Sequence, residues 1–404
     1  MNLRKKTYIN LYDIWKASIF IYIVCYTAFA FSEELTRINN IALYLFLFIS
    51  FLAIVSLKHI RLNGYVISMF IFLIVLFIGF LISTSQWAFD YFYTFFVCLI
   101  IVLILTNFIE TRNDIVYILK ALMIGGVVQN FYIFLYYGID IFSTISDTSR
   151  IGAVAGNLNE VGIRSCFSAI LSLYFAVCEE SKIMQKVGLF LISILCMFFA
   201  VITASKKVLI LLFMGLVFLF FARRKKNINN KKSMIVFRLV IVILVILILL
   251  YFISKLSFFD SLMNRFNDLL NLLFKGQENS SDGKRLRYIT QGFQVFLDNP
   301  IIGDGTGASY NYFGTYSHCN FIEILMNNGI VGFAVFYYVY VIIINKLLKL
   351  VKKSKDKLIP LCFFILCSII VLSIALVYYN QIYYQIYIAI VASVAFSDFS
   401  RIKT

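Results

Sequence analysis

Charged residues and histidines are scarce in this chain of 404 residues. Only 14% of the residues are Asp, Glu, Lys or Arg, whereas a soluble domain averages about 25%, so a soluble globular protein is excluded. There are two histidines, and no acidic cluster resembles a metal site. The eight cysteines fall mostly inside apolar runs, without metal-like spacing, and are interpreted as small apolar packing residues.

Apolar runs take the place of the missing charge. Hydrophobic residues make up 62% of the chain, and the mean hydropathy is +0.91. Runs long enough to cross a bilayer, which needs about 20 residues, recur from end to end, and they are continuous rather than alternating, which argues against a β-barrel. The sequence predicts an all-α polytopic integral membrane protein with about twelve transmembrane helices, at 14–31, 40–57, 64–83, 88–108, 115–137, 161–178, 187–203, 206–222, 234–254, 321–345, 358–378 and 381–397.

The net charge of +16 is placed in a way that argues against nucleic acid as a partner. Most Lys and Arg lie in short loops between apolar runs, which is the pattern of the positive-inside rule. With the N-terminus inside, the basic segments "KHIR", "RRKKNINNKK" and "KLLKLVKKSKDK" are cytoplasmic. We therefore expect both termini in the cytoplasm, and we expect no cleavable signal because "MNLRKKTYINLYDIWK" leads into a first span.

Two outer segments are long for a compact protein, and long loops are commonly functional. The predicted organisation is transmembrane helices 1–9 over residues 1–254, with a shorter outer loop at 138–160. A large outer loop follows at 255–320, and transmembrane helices 10–12 occupy 321–404. Apolar residues at helical spacing within the large loop predict amphipathic helices on the outer membrane surface.

Basic residues on the outer side run against the positive-inside rule and are candidates for binding an anion. Arg suits bidentate phosphate recognition and Lys acts as a point charge. The alternative for each residue is a solvated side chain or contact with lipid phosphate. The residues concerned are Arg150, Lys206, Lys207, Lys284, Arg285 and Arg287.

His318 precedes an apolar run, and its side chain has an ordinary pKa near neutrality, which suits a general base; a structural role is the alternative. His59 lies in a basic loop and is interpreted as solvated. The "GDGTG" stretch, with Gly303 and Gly305, lacks the strand–turn–helix frame of a dinucleotide site and predicts a tight turn. In "GNLNEVG", Asn157 or Asn159 could cap a helix or bind sugar hydroxyls.

Four motifs in one order resemble the bacterial O-antigen polymerase/ligase family. The segment "NPIIGDGTGASYNYFGTYSHCNFIEILMNNGIVG" is similar to its signature region, with His318, Asn320 and Glu323 at the motif positions. "GKRLRYITQGFQVFLDNP" is similar to its Arg-led amphipathic helix, and Arg285 takes the arginine position. "RIGAVAGNLNEVG" and "VITASKKVLI" are similar to two further segments, although Lys206 stands where arginine is usual.

This resemblance implies a metal-independent glycosyltransferase of the bacterial cytoplasmic membrane that needs no cofactor. The implied donor is a glycan on undecaprenyl pyrophosphate, and the implied acceptor is a glycan or lipid. Membrane lipid and a chain-length regulator protein are further candidate partners. His318 would accept the acceptor proton, and Arg150, Arg285 and then Lys206 are the candidates for stabilising the leaving group. Asn320 and Glu323 would orient the histidine or bind sugar. The predicted substrate-binding residues are Lys206, Asn159, Arg287, Asn320, Glu323, Gly303 and Gly305.

Several interpretations of the function remain open. Within the family, a polymerase is favoured over a ligase that transfers to lipid A–core or to a protein. A transporter or flippase would place ionisable residues within the spans, where Arg164 is one of few candidates. A passive scaffold would not need outer basic residues. Outer aromatic residues, among them Tyr288, Tyr310, Tyr312, Phe313 and Tyr316, could stack on sugar rings or anchor the loop at the interface.

Overall fold

The computed structural model describes residues 10–30, 32, 34–57, 59–138, 157–179, 182–203, 205–222 and 281–397. Within these ranges the chain is helical and contains no strand, which confirms the all-α class. The helices are α1 (Leu11–Phe29), α2 (Thr36–Val55), α3 (Gly64–Ile82), α4 (Ala88–Phe108), α5 (Arg112–Tyr137), α6 (Leu158–Cys178), α7 (Ile183–Ile202), α8 (Lys206–Ala222), α9 (Ser281–Asp298), α10 (Ser309–Phe313), α11 (Asn320–Lys353), α12 (Leu358–Leu372) and α13 (Ile382–Phe396).

Seven of the described helices are long and apolar enough to cross a membrane, namely α2 to α7 and α11. α12 and α13 are apolar but shorter. The predicted span at 234–254, residues 139–156 of the shorter outer loop and residues 255–280 of the larger one lie outside the described residues. The number of twelve spans and the placement of the outer loops therefore remain predictions. Multiple apolar helices make this a polytopic membrane protein.

Two of the predicted spans differ from the helices observed. The span predicted at 358–378 ends as a helix at Leu372, because residues 373–381 form a turn. The span predicted at 321–345 is interrupted at Gly329, whose φ of 61° and ψ of −165° are not helical. Asn327 and Asn328 precede Gly329, so the sequence does carry a polar signal at the first break. Residues 374–379 are apolar or aromatic, so hydropathy does not reveal the second break.

The described chain forms two compact units. Unit 1 contains α1 to α4, α5 as far as Gly125, and the segment from Lys284 onwards; unit 2 contains α5 from Gly126, then α6 to α8. In unit 1, α11 packs on α3, and α13 packs on α4. Phe72 lies at the centre of this core and contacts the rings of Phe95, Phe336 and Tyr379.

Unit 1 has two distinct ends. At one end, Arg61 forms a salt bridge with Glu110, and Arg112 forms one with Asp356 at 2.9 Å. Together these two salt bridges join three interhelical connections. At the other end, Gly79 near the close of α3 accepts a hydrogen bond from the N–H of Thr306 at 3.1 Å. α3 begins close to the first end and has 19 residues, so the two ends are roughly 28 Å apart.

Unit 2 is organised around α6, which is buried along most of its length. Val161 and Phe199 belong to an apolar cluster that joins α6 to α7. Gly162 permits close packing, since a Cβ there would lie 2.7 Å from the side chain of Val208 in α8. The N-terminal turns of α6 and α8 are therefore neighbours.

Candidate active site

The end of unit 1 at which Thr306 contacts Gly79 is called the site end, and it is built on the break in α11. Gly329 interrupts the helix, and such a break removes helical partners from nearby carbonyl and N–H groups. A turn at 300–305 supplies replacements. The N–H groups of Asp304 and Gly305 donate to the carbonyls of Met326 (2.9 Å) and Asn327 (3.1 Å). In return, the N–H groups of Ile330 and Val331 donate to the carbonyls of Pro300 (2.9 Å) and Ile301 (3.2 Å).

Glycine is required where this turn and this break meet. A Cβ at Gly303 would lie 2.5 Å from the backbone nitrogen of Asn328, and one at Gly329 would collide with the carbonyl of Ile301. A Cβ at Gly305 would lie 2.7 Å from the Cα of Ser83. All three residues have positive φ. Gly303 and Gly305 thus contact the protein backbone, and a contact of theirs with substrate stays a prediction.

Glu323 holds the segment 309–319 that carries His318. Its side chain is fully buried. One carboxylate oxygen accepts hydrogen bonds from the Ser309 hydroxyl (2.6 Å) and the Asn327 amide (3.1 Å), and the other accepts from the N–H of Ser317 at 2.7 Å. Because Ser309 and Ser317 are near the two ends of that segment, one carboxylate fixes both. This geometry favours the orienting role for Glu323 over direct sugar binding.

Asn320 joins the same segment to the turn between α12 and α13. Its side-chain oxygen accepts hydrogen bonds from the N–H groups of Tyr378 and Tyr379, each at 3.0 Å. Its own N–H donates to the carbonyl of Ser373 at 2.8 Å, and its amide nitrogen donates to the hydroxyl of Tyr337 at 2.8 Å. Asn320 is buried, so it positions the backbone beside His318.

His318 has a φ of 61° and is the single non-glycine residue with positive φ in the part of the chain that the structure describes. Such a conformation is uncommon for a residue with a Cβ and is typical of functional positions when the surroundings impose it. The ring is partly exposed. It lies 4.3 Å from the Tyr316 ring and stacks on the Tyr288 ring at 6.2 Å and 11°.

α9 presents two different faces to this site. Arg285, Tyr288 and Gly292 fall on one side of the helix at spacings of three and four residues. That side packs on α11, since a Cβ at Gly292 would lie 2.5 Å from Ile322. Arg285 is partly buried, one turn from the ring that stacks on His318. Arg287 points to the opposite side and is exposed.

A comparison with known protein families gives a match over part of the chain. Residues 191–337 match the family model described as O-antigen ligase. This segment is similar to the O-antigen ligase family. Its family covers ligases and polymerases that are glycosyltransferase-like and act on lipid-linked glycans in the membrane. With the apolar helices, the family indicates a bacterial inner-membrane protein. No curated protein matches the chain.

The matched segment contains most of the predicted site residues. The match includes Lys206, Arg285 and His318. Arg150 lies outside the described residues and before the match, so its role stays a prediction. Lys206 begins α8 in unit 2. Asn157 caps α6 by accepting the N–H of Asn159 at 3.0 Å, which confirms Asn157 rather than Asn159 as the cap.

Several contributors to the site were not predicted from sequence. Ser309 and Ser317 bind Glu323, and Tyr378 and Tyr379 bind Asn320 through their backbone N–H groups. The serines lie in the same motif as His318 and could have been suspected from that proximity. The tyrosines lie 58 and 59 residues beyond Asn320, and backbone donors carry no sequence signal.

Cys319 stands beside His318 but is buried. Burial raises the pKa of its thiol above the ordinary value, and a thiol that stays protonated is a poor nucleophile. No group of three or more His, Cys, Asp or Glu side chains suitable for a metal ion occurs among the described residues. His318 stacks on the Tyr288 ring, and Arg285 precedes Tyr288 by one turn of α9.

Proposed function

We propose that the protein is a polysaccharide polymerase of the bacterial cytoplasmic membrane. It transfers a glycan from undecaprenyl pyrophosphate onto a sugar hydroxyl of a lipid-linked repeat unit at the outer face. One observation carries this proposal: a partly exposed histidine in a left-handed conformation is held by Glu323 and Asn320. It stacks on Tyr288 of α9, the helix in which Arg285 lies one turn before that tyrosine.

The chemistry needs a base and a cation. The His318 imidazole accepts the proton of the acceptor hydroxyl while the oxygen attacks the anomeric carbon. The bond from that carbon to the pyrophosphate oxygen breaks, the glycosidic bond forms, and the negative charge leaves on the lipid pyrophosphate. The imidazolium then releases its proton to water. A general base contributes about 10²–10⁴ in rate.

Arg285 stabilises the charge that develops on the leaving pyrophosphate, because a fixed cation at that point lowers the barrier. Arg150 and Lys206 are further candidates for the same role. The two ends of unit 1 support the assignment of faces: the loops rich in Lys and Arg meet at one end, and His318 lies at the other. By the positive-inside rule the His318 end is the outer one.

An O-antigen ligase is the second candidate, because the matching family model bears that description. Donor, base and cation are the same in the two reactions, and the acceptor differs: lipid A–core or a protein replaces the lipid-linked repeat unit. The residues described around His318 belong to the shared chemistry, so the products of the reaction must separate these candidates.

The test is complementation of a strain that lacks this gene, with surface and lipid-linked glycans resolved on a gel. In the strain that lacks the gene, a single repeat unit on the normal acceptor, without a ladder, identifies a polymerase. Full-length glycan retained on the lipid carrier identifies a ligase. Accumulation of lipid-linked units that stay on the cytoplasmic side identifies a transporter and contradicts the proposal.

The variants for this test follow from the backbone of His318. Ala would be strained at a φ of 61°, whereas Asn and Gly tolerate that conformation. We expect His318→Asn and His318→Gly to reach wild-type protein levels and to give the glycan pattern of the deletion strain. A wild-type pattern from either variant would show that His318 is not the base.

A further inference from the structure

Beyond His318, the site end of unit 1 carries a strip of aromatic and polar side chains along α10. The strip is formed by Trp87, Tyr310, Asn311, Tyr312 and Asp304. Tyr310 in α10 contacts the ring of Trp87, with centroids 5.1 Å apart. At the other end of α10, Phe313 stacks on Tyr288 at 4.8 Å, and Tyr288 stacks on His318. α10 therefore lies between His318 at one end and Trp87 at the other.

The strip is open to solvent. Trp87 is 41% exposed and Tyr312 is 52% exposed. Asn311 is exposed as well; its amide nitrogen donates to the Thr84 hydroxyl at 3.0 Å. No described residue donates a hydrogen bond to the side-chain carbonyl oxygen of Asn311. A planar ring and a free amide oxygen thus lie on the same surface.

A carboxylate completes the set of groups. Asp304 accepts hydrogen bonds from the Tyr312 hydroxyl at 2.7 Å and from the Asn299 amide at 3.1 Å. A carboxylate has about four acceptor positions, so these two bonds leave acceptor capacity on a partly exposed side chain. The bond to Asp304 raises the pKa of Tyr312 to about 12, and its hydroxyl therefore remains a donor at physiological pH.

We infer that the strip formed by Trp87, Tyr310, Asn311, Tyr312 and Asp304 is a glycan subsite that binds sugar units beyond the one that reacts at His318. This assignment rests on the proposed function and extends it to residues of the α3–α4 loop. Sugar rings have apolar C–H faces that pack on aromatic rings, and their hydroxyls pair with amide and carboxylate oxygens. Basic residues, which a phosphate or an anionic lipid headgroup would require, are absent from the strip.

The competing occupant is the membrane itself, since tryptophan is common at bilayer interfaces. An anchoring residue requires apolar neighbours that also enter the lipid. Polar groups lie close to Trp87: the Ser85 hydroxyl accepts the backbone N–H of Trp87 at 3.3 Å, and Asn311 and Thr84 are bonded to each other beside the same loop. Phe89, two residues further on, is exposed, so the lipid-quenching experiment below decides between the two occupants.

The chain contains two tryptophans, and this makes a direct binding test available. Trp15 is buried, bonds to Ser50, and lies among the helices near the opposite end of unit 1. In full-length Trp15→Phe protein, Trp87 is the sole reporter. Purified protein in nanodiscs is titrated with the host's own repeat-unit oligosaccharide, released by mild acid from the lipid that accumulates in the deletion strain.

We expect a saturable change in Trp87 emission in the Trp15→Phe protein and none in the Trp87→Phe protein, where Trp15 is the reporter. Asn311→Ala in the Trp15→Phe background should raise the half-saturating concentration roughly three- to tenfold, the loss of one hydrogen bond. No saturable change would overturn the subsite. Strong quenching by brominated phospholipid, with no response to oligosaccharide, would show instead that Trp87 is an interfacial anchor.

Failure of the subsite and failure of the proposed function give different results. His318→Asn in the Trp15→Phe background should abolish the ladder and keep the emission change. A wild-type ladder from His318→Asn rejects the proposed base and leaves the glycan subsite to the titration alone. If Trp15→Phe protein synthesises the ladder but its Trp87 emission does not change with oligosaccharide, only the subsite is rejected.

Discussion

At the scale of single residues, this site depends on backbone conformations that side chains usually avoid. Gly303, Gly305 and Gly329 adopt positive φ where the turn at 300–305 meets the break in α11, and His318 adopts it without being glycine. The glycines allow the backbones to approach. The histidine accepts local strain because Glu323 and Asn320 hold the residues on either side of it.

Substitution of the glycines at this junction should destabilise the protein. Gly329→Ala and Gly303→Ala add a Cβ at a backbone contact and at positive φ, and the backbone strain alone costs about 1–3 kcal/mol. We expect a lower melting temperature in detergent and a lower abundance in the membrane. Gly188→Ala is the matched control, because its Cβ would meet nothing within 4 Å. Equal melting temperatures for Gly329→Ala and Gly188→Ala would contradict this account of the junction.

Glu323→Gln tests the orienting role of the buried carboxylate. The amide replaces one acceptor oxygen with a donor, so either the Ser317 N–H or the two donors at the other oxygen lose their partner, at a cost of about 1–3 kcal/mol. We expect reduced polymer synthesis with unchanged half-saturating oligosaccharide in the Trp87 titration, because Glu323 is fully buried. A selective loss of glycan affinity with intact turnover would assign Glu323 to sugar binding instead.

At the scale of elements, the helices were predictable and their interruptions were not. Apolar length is visible in a sequence, so α3 and α4 were predicted nearly to their ends. The break at Gly329 and the turn at 373–381 fall inside predicted spans and are stabilised by hydrogen bonds to distant segments, at 300–305 and Asn320. Such partners depend on tertiary structure, which hydropathy does not encode.

The same contrast applies to the candidate site. His318, Asn320 and Glu323 were identified because a family resemblance joined them to the glycine turn. The distinction between Arg285 and Arg287 needed the packing of α9, because both are basic and only two residues apart. A helical wheel separates their directions by about 200°, but which direction faces α11 follows from the contact of Gly292 with Ile322.

The two faces of α9 lead to a prediction about its arginine. Arg285→Ala should reduce glycan transfer strongly, and Arg285→Lys should restore only part of it, because Lys keeps the charge and loses the bidentate fork. Lys284→Ala removes one exposed positive charge from the adjacent position and should transfer glycan as wild type does. Initial rates measured with purified lipid-linked donor at matched protein levels provide the comparison. Wild-type rates for Arg285→Lys would exclude bidentate recognition of the pyrophosphate by this residue.

At the scale of the whole molecule, function requires that the two ends of unit 1 face different compartments. The donor glycan is outside the cell in the proposed reaction, whereas the ion pairs of Arg61 and Arg112 join loops at the far end. α3 alone separates these ends by roughly the hydrocarbon thickness of a bilayer, about 30 Å. A lipid-linked substrate can then reach His318 while its lipid remains in the membrane.

This arrangement predicts opposite labelling of two exposed lysine positions. Lys284 begins the described part of α9 in unit 1, near the site, and Lys355 follows α11 beside Asp356 at the other end. A membrane-impermeant maleimide added to intact spheroplasts should label Lys284→Cys and should label Lys355→Cys only after lysis. Wild-type protein gives the background from the native thiols, and glycan synthesis confirms that each variant is folded. Labelling of Lys355→Cys alone in intact spheroplasts would invert the topology and place His318 in the cytoplasm, where a transfer reaction at the outer face is not possible.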